Sequence, residues 1–108
     1  MTLIADIQDE LKKARLARDA ARRDALALLL NALRSAQKEL QRELSEDESL
    51  QVLQRERKKR AEAMEAFDAA GREEQADREE FELDVIEEFM PEALSEDDLE
   101  EIVDNVIA

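Results

Sequence analysis

The chain has 108 residues, room for one small domain. Aromatic residues make up 3% of it, with one Gly, one Pro and no Trp, Tyr, His or Cys. A β-sandwich or barrel needs turn residues and aromatic or β-branched strands, so all-β architectures are excluded. Charged residues reach 43% and apolar ones 44%, much of that Ala and Leu, which is the composition of a helical bundle or a coiled coil.

The missing residue types also restrict the chemistry. Without Cys there is no disulfide, thiolate nucleophile, Cys-ligated zinc or iron–sulfur cluster. Without His there is no catalytic triad and no Glu-x-x-His di-iron pair. Asp6 interrupts the start where a signal peptide would need an unbroken apolar core. The longest apolar run, Ala25–Leu30, is far short of the roughly 20 residues that cross a bilayer, so a soluble, cytoplasmic protein without membrane contact is expected. The net charge of −14 is divided unevenly: residues 1–60 hold 14 Lys and Arg against 11 Asp and Glu, whereas residues 61–108 hold 2 against 19. A bulk negative charge argues against unselective nucleic-acid binding, but the +3 half attracts phosphates if its cations share a face.

Five helices are predicted in chain order. The first, over 3–16, places Leu3, Ile4, Ile7 and Leu11 on one stripe. The second runs from about Asp19 to Leu44 with Leu26, Leu29, Leu30, Leu33, Leu40 and Leu44 in register, widened by Ala25, Leu28, Ala32 and Ala36. Its middle is apolar around most of the helix, which marks it as the central, buried element. Ser45 with Glu48 three residues on is a capping box that opens a third helix, carrying Leu50, Val52, Leu53, Ala61, Met64 and Phe67. That helix ends at Gly71, a left-handed C-cap. The fourth spans about 73–89, presents Ala76, Leu83, Ile86 and Met90, with Phe81, Val85 and Phe89 alongside, and is stopped by Pro91. Ser95, with Asp98 three residues on, opens a fifth, whose stripe of Leu99, Ile102, Val103, Val106 and Ile107 reaches the last residue. The fold class is therefore all-α: a bundle of four helices in residues 1–90, then one further helix in 91–108.

Three charged clusters stand out. Lys12, Lys13, Arg15, Arg18, Arg22, Arg23, Arg34 and Lys38 lie on the first two helices, with Arg15, Arg18 and Arg22 on one side. They form either a phosphate-backbone surface or a solvated face balanced by Asp9–Lys13 and Asp19–Arg23 pairs, and the solvated face is the plainer reading. Arg55-Glu56-Arg57-Lys58-Lys59-Arg60 points charge all round the third helix, with Arg57 on the apolar stripe between Leu53 and Ala61. It reads equally as a protruding basic arm or as a solvated helix with Glu56 and Arg60 paired. The acidic run from Glu73 to Glu88 forms no metal-binding loop and reads as a solvated face, with screening of the basic half as the lesser alternative. Among possible nucleophiles (Thr2, Ser35, Ser45, Ser49 and Ser95), two are caps and none has a base to activate it. No catalytic residue, metal ligand or cofactor site is expected.

Ala17-Arg18-Asp19 followed by Leu26-Ala-Leu-Leu-Leu-Asn-Ala-Leu-Arg34 resembles the opening of the GatB/YqeY-like family. Arg55 to Arg60, then Glu65-Ala-Phe67 and Ala70-Gly71-Arg72, look like its middle signature. Glu79, Leu83 and Phe89-Met-Pro91 before Leu94-Ser95 are similar to its closing stretch, with Phe89-Met90 in place of Tyr-Leu. The resemblance implies an N-terminal helical domain over 1–90. It also implies the start of a tail domain over 91–108, like the one ending the B subunit of glutamine-dependent aspartyl/glutamyl-tRNA amidotransferase. The family runs some tens of residues further, so that tail is expected to be truncated at 108. The family label is carbon–nitrogen ligase with glutamine as amido-N donor, whose bond-making belongs to other domains of the complex. The resemblance thus implies a tRNA-contacting accessory module that is non-catalytic alone, with Lys12, Arg15, Arg18, Arg22, Arg23, Arg34, Lys38, Arg55, Lys58 and Lys59 as candidate RNA contacts. The alternative is a protein-interaction domain that docks a partner, or a second copy, through the Leu99/Ile102/Val106 stripe.

Overall fold

Local chemistry starts each helix. Thr2 precedes α1 (Leu3–Leu16), and its hydroxyl accepts a hydrogen bond from the Ala5 amide at 3.1 Å. Asp19 does the same for α2 (Ala20–Leu40), taking the Arg22 amide at 3.2 Å. Ser45 opens α3 (Glu46–Ala69) with both halves of the expected capping box: its hydroxyl accepts from the Glu48 amide, and the Glu48 carboxylate accepts from the Ser45 amide. The fourth helix, α4 (Glu73–Glu87), has no side-chain cap, but Glu73 and Glu74 in its first turn complement the helix dipole. The computed structural model describes residues 2–91, and the predicted fifth helix with its Leu99/Ile102/Val106 stripe lies outside them.

Three helices end in the same way. The amide of Asp19 reaches back to the Ala14 carbonyl and that of Arg18 to Arg15. Arg42 reaches Gln37 and Gln41 reaches Lys38, while Arg72 reaches Phe67 and Gly71 reaches Asp68. These are Schellman closures, and each places one residue in the left-handed region: Arg18 at φ 57°, Gln41 at φ 58° and Gly71 at φ 73°. Gly71 fills the role its position predicts. The second helix ends at Leu40 rather than Leu44 because Gln41 turns left-handed, and α4 stops at Glu87 with 88–90 in a turn rather than continuing to Phe89.

The architecture is all-α, as the composition requires: two helical hairpins, α1–α2 and α3–α4, meeting across α2. Ile7, Leu26, Leu33, Leu53 and Ile86 are fully or almost fully buried at the junction, with Leu3, Leu11, Leu29, Leu30, Val52, Val85 and Met90 around them. α2 supplies Ala25, Leu26, Leu29, Leu30 and Leu33, more core than any other helix, yet Leu28 (43% exposed) and Asn31 leave it one open face. It is central without being enclosed. The core takes nothing from α3 beyond Leu53. α3 is roughly 36 Å long, at about 1.5 Å per residue, in a molecule whose longest extent is 38 Å. Its second half packs only half-buried residues, Ala61, Met64 and Phe67.

Candidate nucleic-acid interface

The basic residues of α1 and α2 sort into paired and unpaired groups. Arg22 is turned inward to a carboxylate: its two terminal nitrogens donate to both Glu88 oxygens at 2.7 and 2.9 Å, and one also reaches Glu10 at 3.3 Å. The Glu88 carboxylate raises the Arg22 pKa, and the Arg22 and Lys13 cations lower that of Glu10. Arg22 thus ties the α1–α2 hairpin to the end of α4, away from the surface role its sequence neighbours suggest. Lys13 pairs with Glu10 rather than Asp9, and Asp19, expected opposite Arg23, is occupied as a cap. Arg23 instead meets its neighbour Asp24 at 3.1 Å, an exposed pair that contributes little and leaves the guanidinium at the surface.

Arg15, Arg18, Arg34, Lys12 and Lys38 are exposed and have no ion-pair partner among the described residues. Packing of α1 on α2 gathers the arginines around two open depressions. One is bordered by Arg15, Arg18 and Arg23 with Asp19 at its side. The other, between the middles of the two helices, is lined by Gln8, Leu11, Arg15, Leu30, Asn31 and Arg34. Arg15 belongs to both. Arg18 occupies a left-handed position, which disfavours any residue but Gly, and so holds a cation at the rim where a Gly would serve the backbone better.

The basic run of α3 divides by helical geometry. Arg57 and Arg60 face α4: Arg57 donates to Glu87 at 2.9 Å, and Arg60 reaches Glu79 and Glu82 at 3.3 and 3.2 Å, with Glu56 at 4.0 Å. The Glu79 and Glu82 side chains are 14% and 15% exposed, so these acids form a seam between α3 and α4 rather than a solvated face. Burial first, then the neighbouring Glu79 carboxylate, pushes the Glu82 pKa up against the pull of Arg60. Arg55, Lys58 and Lys59 lie on the opposite, exposed side with no ion-pair partner among the described residues. Arg55 borders a separate groove with Glu39 and Glu48, where the potential is mixed. No group of three or more metal-ligating residues occurs among the described residues, and no described helix is long and apolar enough to cross a membrane.

Residues 4–108 match the model of the Yqey-like protein family, which covers nearly the whole chain. The chain belongs to the YqeY-like family. No curated protein matches it. In this YqeY-like protein the Ala17-Arg18-Asp19 segment is the Schellman turn between α1 and α2, and Ala70-Gly71-Arg72 is the turn between α3 and α4. Two of the three stretches that carry the sequence resemblance therefore include a helix reversal, and the first of these turns also delivers a surface arginine. Gln8 carries no sequence signal, and Asn31 lies within the Leu26–Arg34 stretch of the resemblance with no role assigned to it. They acquire meaning only once α1 and α2 are packed.

Proposed function

We propose that this YqeY-like protein is an RNA-binding accessory module, with tRNA as its RNA, which serves glutamine-dependent tRNA amidation without making or breaking bonds itself. The observation that carries this reading is the set of arginines without ion-pair partners among the described residues, Arg15, Arg18 and Arg34, gathered on one face of α1–α2 in a chain of net charge −14. In so acidic a protein, cations are free of carboxylates only where packing keeps the two apart, and such groups neutralise phosphates with release of counterions. Arg55, Lys58 and Lys59 on the exposed side of α3 supply a second contact region. With neither His nor Cys, the chain has no obvious nucleophile–base pair of its own, which favours bond-making by another chain.

Fluorescence anisotropy with a labelled tRNA, titrated over salt, tests the proposal. Affinity is expected to fall steeply with salt, and both the Arg15→Gln/Arg34→Gln and the Arg55→Glu/Lys58→Glu/Lys59→Glu variants are expected to bind about tenfold or more weakly. Each lost phosphate contact lowers the logarithmic salt slope by about 0.7–0.9. Binding that is absent, or unchanged in both variants, would falsify the RNA reading. Glutaminase assay of the isolated chain is expected to show no turnover.

A further inference from the structure

The notch between the middles of α1 and α2 differs from its neighbour in chemistry. Arg15 and Arg34 contribute guanidinium groups, Gln8 and Asn31 two exposed neutral amides, and Leu11 and Leu30, each 5% exposed, a largely covered floor. No carboxylate lines it among the described residues. Its volume of about 340 Å³ sits near the lower end of the roughly 300–1,000 Å³ range of small-molecule sites. A surface that only tracks phosphates needs cations and nothing else. Amides that both donate and accept, beside planar guanidinium groups, match instead an unstacked nucleobase. Its edge pairs with amides and its face stacks on arginine. In duplex RNA the Watson–Crick edges are paired and the faces stacked.

We infer that this notch receives a single unpaired base of a single-stranded RNA segment, with Gln8 and Asn31 meeting the base edge and Arg15 and Arg34 its face or flanking phosphates. The inference rests on the RNA reading above and narrows it to single-stranded RNA. Arg15 also borders the adjoining depression with Arg18 and Arg23, so a strand that leaves a base in one places its backbone phosphate at the other. Base recognition and charge neutralisation are thereby assigned to different side chains, which makes them separable by substitution.

The test compares a labelled single-stranded oligouridylate with the same strand carrying abasic positions, using the full chain and its Gln8→Ala/Asn31→Ala variant. Both positions are exposed and helical, so Ala maintains the helices, and circular dichroism verifies it. The unmodified protein is expected to bind the intact strand roughly tenfold more tightly than the abasic one, the scale of one base stacked on a side chain. The double variant should lose that preference while its affinity for the abasic strand and its salt slope stay unchanged. Equal binding of intact and abasic strands by the unmodified protein overturns the inference, as does a preference that survives in the double variant. Failure of the RNA reading looks different: neither strand then binds in a salt-dependent way.

Discussion

Arg18 and Gln41 adopt the same left-handed backbone as Gly71, but they have a Cβ to accommodate. That conformation disfavours an L-residue by about 1–2 kcal/mol, so glycine at either position should stabilise the fold by roughly 0.5–1 kcal/mol after the entropy of the unfolded chain is counted. The two substitutions should part company in function. Arg18→Gly is expected to raise the urea midpoint and weaken RNA binding, whereas Gln41→Gly raises the midpoint alone. Equal RNA affinity in both variants would detach Arg18 from the interface. Glu48 gives a second residue-scale expectation. Its carboxylate accepts from both Arg42 terminal nitrogens at 2.7 Å and from the Ser45 amide, and these bonds hold its pKa down to about 2 from the ordinary 4.5. A depressed carboxylate stabilises the fold fully above its unfolded value and loses that contribution as the pH falls toward its folded one. The stability gap between the unmodified chain and Glu48→Gln should therefore be constant from neutrality to about pH 4.5 and close toward pH 2.

At the scale of elements, the α3–α4 seam titrates in the opposite sense. Burial and Glu79 raise the Glu82 pKa, so the charged form is disfavoured in the folded state and protonation strengthens the packing. Glu82→Gln retains an acceptor for Arg60 and removes the charge. It is expected to raise Tm at pH 7, with the advantage shrinking as the pH falls through the raised value toward 4.5. A lower Tm at pH 7 would show that the Arg60 pair outweighs the burial. α2 offers a larger effect: Leu33, with no exposed surface, should cost about 2–5 kcal/mol when cut to Ala, and a loss below about 1 kcal/mol in urea would deny α2 its central place.

The same elements show what a sequence can and cannot reveal. The Ser45–Glu48 box and the Gly71 stop are legible because each works within three or four residues, whereas the Asp19 cap displaces the Asp19–Arg23 pair that the same spacing suggests. The end of α2 is not legible, because Leu40 and Leu44 prolong the stripe while a Gln takes the left-handed turn. The basic cluster is legible as composition, but the removal of Arg22 from it depends on Glu88, 66 residues away. The joint placement of Gln8 and Asn31 is not legible for the same reason, since only the packing of α1 against α2 sets them in one notch.

Across the whole molecule the charge asymmetry sets two salt responses of opposite sign. Residues 61–91 hold 2 Arg against 12 Asp and Glu, and among the described residues the acids of α4 engage only Arg57 and Arg60 in ion pairs, with Arg22 on Glu88 just after it. Most of that negative charge therefore repels itself, and self-repulsion destabilises the compact state. Exposed ion pairs contribute only about 0–1 kcal/mol each, so what salt takes from them is small beside the repulsion it relieves. At about 0.1 M salt the screening length is about 10 Å, shorter than most separations on a molecule 38 Å across. Raising sodium chloride from about 20 to about 300 mM should thus increase Tm while RNA affinity falls over the same interval. The opposition discriminates between mechanisms. A protein whose binding weakened because it was unfolding would lose both together, whereas screening of Arg15, Arg18 and Arg34 weakens binding in a fold that is becoming more stable. Replacing Asp77, Glu80 and Asp84, all exposed on α4 past its first turn, by Asn, Gln and Asn should reproduce the gain in Tm at low salt and flatten its further rise. If those three substitutions leave the salt dependence of Tm as steep as before, the repulsion does not reside in α4.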